Sequence, residues 1–176
     1  MKTSEEIDEL MQRAVEAGLE GLDFMADFDY EKIAASFNGI GPSCLSEEQR
    51  QKLSKYLALF LPAALIHDMR YEVSNGQRDA FNYANFEFRD NCYALATHAY
   101  GFFNWRRYRA YFVAWLLFKA VASEVGWFIW SEAARSLELR AKSLELEGDS
   151  LELRAKSLER MENPSGAESS KLKAES

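Results

Sequence analysis

Cysteine is almost missing from this sequence, and so is any concentration of positive charge. Cys44 and Cys92 are too few and too far apart for a disulfide framework or a metal quartet, which points to a reducing compartment. Acidic residues outnumber basic ones, giving a net charge of −7 and a pI near 5.0. Phosphate backbones need a concentrated basic face, so this balance argues against a nucleic-acid partner. Only Arg106, Arg107 and Arg109 cluster, beside Trp105, Tyr108 and Tyr111, and the plain reading of that group is a solvated helix start. At the N-terminus, Met1-Lys2-Thr3-Ser4-Glu5-Glu6 lacks the apolar run that would follow the basic start of a secretory signal. Export by that route is not expected.

What the chain does have is apolar and aromatic bulk. With 176 residues, 48% of them hydrophobic and 14% aromatic, it can bury one sizeable core and carry a tail. The periodicity is helical throughout, and the expected class is all-α. Thr3 and Glu6 form a capping box, followed at helical spacing by Ile7, Leu10, Met11, Ala14 and Leu19, with Gly18 and Gly21 ending the helix. Phe24, Phe28, Tyr30 and Ile33 then punctuate an acidic stretch of short helical turns. A second capping box, Ser46 with Gln49, opens a strongly apolar helix through Leu53, Tyr56, Leu57 and Leu59 to Leu61. Pro62 sets a break at Leu61-Pro62 and a new helix to about Val73. Asn75-Gly76 turns the chain, and a further helix from about Asp79 to Thr97 returns antiparallel.

This helical hairpin carries the chemistry. Its first arm holds Ile66-His67-Asp68-Met69-Arg70-Tyr71, an HDxxY sequence that sets an imidazole and a carboxylate side by side with a tyrosine one turn on. The second arm buries Phe81, Ala84, Phe88, Cys92 and Leu95, with Asn85 on the edge of that face and able to reach His67. Asp79 and Asp90 point away from that edge. Upstream, Phe37-Asn38-Gly39-Ile40-Gly41-Pro42 is a glycine loop of the kind that turns backbone carbonyls toward a ligand. For each residue there is a plainer reading: a satisfied core histidine, a solvated or capping aspartate, an ordinary turn. His98, near the end of its helix, has only that plainer reading, as a partner for the last carbonyls.

Glycine loop, HDxxY helix and antiparallel partner helix together resemble the phospholipase A2 family, most closely its short, disulfide-free versions from phages, mobile elements and some viral capsid proteins. The likeness covers roughly residues 30 to 100. It implies a calcium-dependent carboxylic ester hydrolase acting on phospholipid, located in the cytoplasm or on a virion. It also implies a calcium ion held by the carbonyls of Phe37, Gly39 and Gly41 and the carboxylate of Asp68, an all-oxygen set that suits that ion. His67 would be the general base, Tyr71 would hold the network, and the residue at position 85 would orient the histidine. There the chain departs from the pattern. The family's second helix reads Ala-Asp-x-x-Phe-x-x-Asn, and this one reads Ala84-Asn85-Phe86-Glu87-Phe88-Arg89-Asp90-Asn91. An amide accepts the imidazole N–H but cannot stabilise an imidazolium by charge. The comparable change in a serine-protease triad costs about four orders of magnitude in turnover. The loop also departs, with Pro42 directly after Gly41.

Two segments follow residue 100, the first of them at the outer limit of the resemblance, which extends at most through the helix ending near Trp130. From Ala110 to Trp130 the chain is almost wholly apolar and long enough for a membrane span, but Lys119 and Glu124 interrupt it. A packed core helix is the favoured alternative, with Tyr108, Phe112, Trp115, Phe118, Ala122, Val125 and Ile129 on the buried face and Gly126 allowing close approach. Tryptophans at 105, 115, 127 and 130 keep an interfacial role open. Past Ser131 the composition changes, and Ser136 to Glu145 recurs without a change as Ser150 to Glu159. The repeat phases as heptads, with Leu137, Leu144, Leu151 and Leu158 at one core position and Ala141, Gly148 and Ala155 at the other. That predicts a homo-oligomer through residues 136–159, against a lone charged helix stabilised by pairs such as Glu138-Lys142.

The expected organisation is a phospholipase A2-like helical domain over 1–131, a heptad-repeat helix over 132–163 and a disordered tail over 164–176. Two functions of different class fit it: the hydrolase, weakened by Asn85, and a catalytically inactive phage or mobile-element interaction protein that oligomerises through its C-terminal helix.

Overall fold

The chain was analysed as a computed structural model, which describes residues 3–37 and 46–162. All regular structure among them is helical, with no strand. The contacts divide the chain into two units, Met1–Ala134 and Arg135–Ser176.

In the first unit, α1 (Ser4–Glu16) starts at the expected capping box: the Thr3 side chain accepts from the Glu6 N–H and the Glu6 carboxylate reaches back to the Thr3 N–H. Ile7, Leu10 and Ala14 form its buried stripe. The left-handed φ values at Gly18 and Gly21 end it, and the short α2 (Leu22–Met25) and α3 (Tyr30–Ser36) follow. α4 (Glu47–Tyr56) has its capping box at Ser46 and Gln49, as expected. It is not the apolar core helix that the sequence predicts. None of its residues is buried, Tyr56 is 91% exposed, and Leu53 and Leu57 only lean on the core. The break comes at Leu57, earlier than Pro62, through a 3₁₀ turn at Ala58–Phe60. α5 (Leu61–Glu72) then takes Pro62 into its first turn, where a missing N–H costs nothing.

α5 and α6 (Arg78–Ala99) form the hairpin around which the rest is packed. Its turn passes through Gly76 at φ +70°. Residues 63–67 and Met69 are buried on α5, and Phe81, Ala84, Phe88, Cys92 and Leu95 on α6, the face anticipated. α1 and α3 cover α5, and α7 (Trp105–Val121) covers α6.

The apolar stretch 110–130 is not one long helix. α7 stops at Val121, and α8 (Glu124–Glu162) starts at a bend of 55°. Ser123 makes the restart possible, its hydroxyl accepting from the Gly126 N–H. Gly126 is required because any Cβ there would overlap the Val121 carbonyl oxygen. The buried face differs from the expected one as well. Ala110 and Ala114 are buried against α6, while Tyr108, Phe112, Trp115, Val125 and Ile129 are exposed. Among the described residues no single helix is long and apolar enough to cross a membrane, and only α7 with α8, as a bent pair, passes on length and composition.

The second unit consists, among the described residues, of the helix that runs to Glu162. Leu139, Leu144, Leu146 and Leu151 are exposed along it, and Lys142 pairs with Glu138.

Candidate functional site

Two helices bring the site together. Helical spacing on α5 places His67, Asp68 and Tyr71 within one turn of each other, and the hairpin returns Asn85 on α6 opposite His67. The His67 Nε2 atom lies 3.0 Å from Asn85 Oδ1. Asn85 is not at the edge of the face as the sequence implies but 1% exposed, in the middle of the interface. Its amide NH₂ donates to the Phe81 carbonyl at 2.9 Å, so its oxygen must face the ring. An oxygen there fixes the tautomer: Nε2 carries the proton and donates it, and Nδ1 is left as the basic nitrogen.

The ring sits between aromatic neighbours, with Tyr71 and Phe88 each at 4.8 Å between centroids. Tyr71 is backed edge-on by Trp130 at 4.7 Å, so the first turns of α8 close this end of the site. Ser74 on the hairpin turn donates to the Trp130 carbonyl, and Arg78 pairs with Glu124, which hold those turns in place.

Electrostatics follow from burial. His67 has its pKa lowered to about 4, chiefly because the charged ring would be desolvated; the hydrogen bond it donates to Asn85 and the charge of Glu87 pull the other way. Asp68 is held well above the usual carboxylate range, first by burial and then by the charge of Glu72 one turn on. The Tyr71 hydroxyl is pushed up by burial and by Asp68. Cys92, buried on the same helix face, has its thiol pushed up by burial alone, which makes it inert packing.

Of the implied ion ligands, Asp68 lies on α5 beside the histidine, and Phe37 ends α3 with its side chain buried. Gly39 and Gly41 fall outside the described residues. Among the described residues no three His, Cys, Asp or Glu side chains converge.

Two buried polar arrangements beside the site have no counterpart in the sequence reading. Arg70 makes a two-pronged ion pair with Glu87, Nε to Oε1 at 3.0 Å and Nη2 to Oε2 at 2.7 Å, while its guanidinium lies 3.8 Å over the Phe24 ring. Asn91 clamps the backbone of Glu20, accepting from its N–H at 2.8 Å and donating to its carbonyl at 3.0 Å. Periodicity places Glu87 off the apolar face of α6, but Asn91, seven residues from Ala84 and three from Phe88, falls on that face, and a polar side chain there was the available signal for a buried partner. His98 lies exposed in the last turn of α6, and Asp90 pairs with its neighbour Arg89 at the surface.

The arrangement can accept a proton at Nδ1 of a neutral histidine held by a neutral amide, next to a carboxyl group whose burial favours its uncharged form. Set against known protein families, curated proteins and solved structures, the chain matches none of them.

Proposed function

We propose that the protein is a calcium-dependent, phospholipase A2-like ester hydrolase whose turnover is limited by Asn85. The observation that carries this reading is the 3.0 Å pairing of His67 Nε2 with Asn85 Oδ1 across an antiparallel helix pair, with Asp68 and Tyr71 on the same helix turn. In the proposed reaction His67 Nδ1 takes a proton from water as the water oxygen attacks the carbonyl carbon of a phospholipid ester. The imidazolium then gives that proton to the departing alkoxide, leaving a fatty acid and a lysophospholipid. Bound calcium would supply positive charge to the ester carbonyl oxygen. Asp68, with the carbonyls of Phe37, Gly39 and Gly41, would hold it. Tyr71 packs on the ring and limits its rotation. The weak point is the imidazolium: burial already holds the ring pKa near 4, and Asn85 offers no charge against it.

Fatty-acid release from mixed phospholipid, with calcium and with chelator, tests this. Chelator-sensitive release is expected from the wild type, lost in His67→Ala and raised in Asn85→Asp. If no variant gives it, the hydrolase reading is lost.

One observation favours a second reading, an interaction protein that keeps the fold without turnover. Leu144 and Leu151, which share a heptad position, are 69% and 61% exposed on α8, an arrangement that favours self-association through residues 136–159. Sedimentation equilibrium of the full chain and of Leu144→Asp/Leu151→Asp decides it, since an oligomer would dissociate in the double variant.

A further inference from the structure

α7 is apolar around most of its circumference, a composition expected of a helix enclosed on every side. Only one side is covered. Ala110 and Ala114 are buried against α6, with Leu117 and Val121 packed beside them. The opposite side shows Trp105, Tyr108, Phe112, Trp115 and Leu116 at intervals of three and four residues, one continuous stripe. Phe112 and Trp115 stack on each other in the open at 6.1 Å rather than against the body of the protein. Just before α7, Phe103 is 95% exposed beside Phe102, and just after the bend Val125, Phe128 and Ile129 are exposed on the first turns of α8. Isolated exposed apolar residues need no explanation, but a contiguous aromatic face this long marks a binding surface.

Charge identifies the occupant. Residues 102–130 hold four basic residues, Arg106, Arg107, Arg109 and Lys119, and a single acidic one, Glu124, in a chain of net charge −7. Glu124 is paired with Arg78. Arg106, Arg109 and Lys119 are exposed, and Lys119 lies over the Trp115 ring at 5.9 Å. Tryptophan, tyrosine and phenylalanine fringed by arginine and lysine is the composition of the boundary between lipid headgroups and acyl chains, and the positive sign selects an anionic leaflet. The bend between α7 and α8 gives the apolar surface two short arms, a shape suited to lying in the interface rather than crossing it.

We propose that the exposed face of α7, with Phe102-Phe103 before it and the first turns of α8 after it, docks the protein on an anionic phospholipid surface. The proposal rests on the lipid-directed reading above only in choosing phospholipid over another apolar partner; docking itself needs neither His67 nor calcium.

Flotation of the full chain with phosphatidylcholine vesicles, with and without phosphatidylglycerol, tests it. Binding is expected with phosphatidylglycerol, falling with salt and about tenfold weaker in Phe112→Ser/Trp115→Ser. Arg106→Glu/Arg109→Glu should abolish the preference for anionic lipid, and Tyr56→Ser, exposed on α4, should change nothing. All these positions are exposed, and circular dichroism checks that each variant stays folded. Tryptophan fluorescence should be quenched more by bromines near the headgroup than by bromines at the chain ends. His67→Ala should bind like wild type, so binding without hydrolysis in any variant would defeat the hydrolase reading alone. Failure of wild type to float, or binding indifferent to both double variants, overturns the docking proposal. So does quenching strongest at the chain ends, which means a span, or self-association in buffer that Phe112→Ser/Trp115→Ser removes, which means a second copy of the chain.

Discussion

Asn85 holds its amide oxygen 3.0 Å from His67 Nε2 and anchors its amide nitrogen on the Phe81 carbonyl, so the ring is oriented without being charged. A carboxylate has the same shape and one more negative charge. Asn85→Asp is therefore expected to raise the His67 pKa from about 4 toward neutrality, read by titrating the ring proton signals. In the hydrolase reading the same variant raises calcium-dependent release by between about tenfold and four orders of magnitude. An unmoved ring pKa would show that the two groups are not coupled as their geometry requires.

The lowered pKa of His67 also links stability to pH. Between pH 6.5 and about 4 the unfolded chain binds a proton at this ring that the folded chain does not. Stability is thus fully present above that window and falls as the pH drops through it, by about 3 kcal/mol in all. The raised carboxyl of Asp68 acts in the opposite sense, and Glu72 and Glu87 also face this region, so the comparison is with His67→Gln, which keeps them. Urea unfolding of both proteins from neutral pH to about pH 4 should show the wild type losing more, and parallel curves would contradict it.

Arg70 and Glu87 should behave asymmetrically. The Glu87 side chain is 2% exposed and that of Arg70 20%, so the arginine can turn to water when its partner is lost and the glutamate cannot. Arg70→Met is expected to cost about 3 to 5 kcal/mol and Glu87→Leu less, with Arg70→Met/Glu87→Leu recovering much of the loss. A double-mutant cycle by chemical denaturation measures the coupling.

Gly21 is the tightest of the turn glycines. At φ +87°, a Cβ would sit 2.8 Å from Ile66 Cγ2 and 3.1 Å from Glu87 Oε1, on the residues flanking the site. Gly21→Ala is expected to destabilise by about 3 kcal/mol, combining backbone strain with overpacking. Gly18→Ala has a left-handed φ too but open space, and should cost about 1 kcal/mol. Equal midpoints for the two variants would remove the steric part of this account.

The hairpin and its capping boxes were legible because their determinants are local. Thr3 with Glu6, Ser46 with Gln49, and the Asn75-Gly76 turn each act within a few residues. The same locality made the His67–Asn85 pairing readable once the turn was placed. Glu87 was missed because what buries it comes from elsewhere in the chain, Arg70 on the facing helix. Asn91 shares the inward face of α6 by its spacing from Ala84 and Phe88, and only its partner, Glu20 at 71 residues' separation, lay beyond local reading. α7 was recognised as a helix but given the wrong inner face. A helix apolar on all sides has no hydrophobic phase to read, and only the small residues Ala110 and Ala114 mark where α6 approaches. The break at Ser123 was written in the Ser-Glu-x-Gly stretch and was overridden by the apolar run around it.

The Asn91 clamp on Glu20 has a kinetic consequence. Its two hydrogen bonds close a loop of 71 residues, whereas His67 and Asn85 are 18 apart. Long loops close late, after the sequence-local hairpin has formed, so the clamp should be absent from the folding transition state. Asn91→Ala is then expected to accelerate unfolding and leave the refolding rate nearly unchanged, with the whole loss of stability in the unfolding arm of a chevron plot. By this logic the clamp acts as a latch on the lifetime of the folded chain, and the hairpin beneath it sets how quickly the site first assembles.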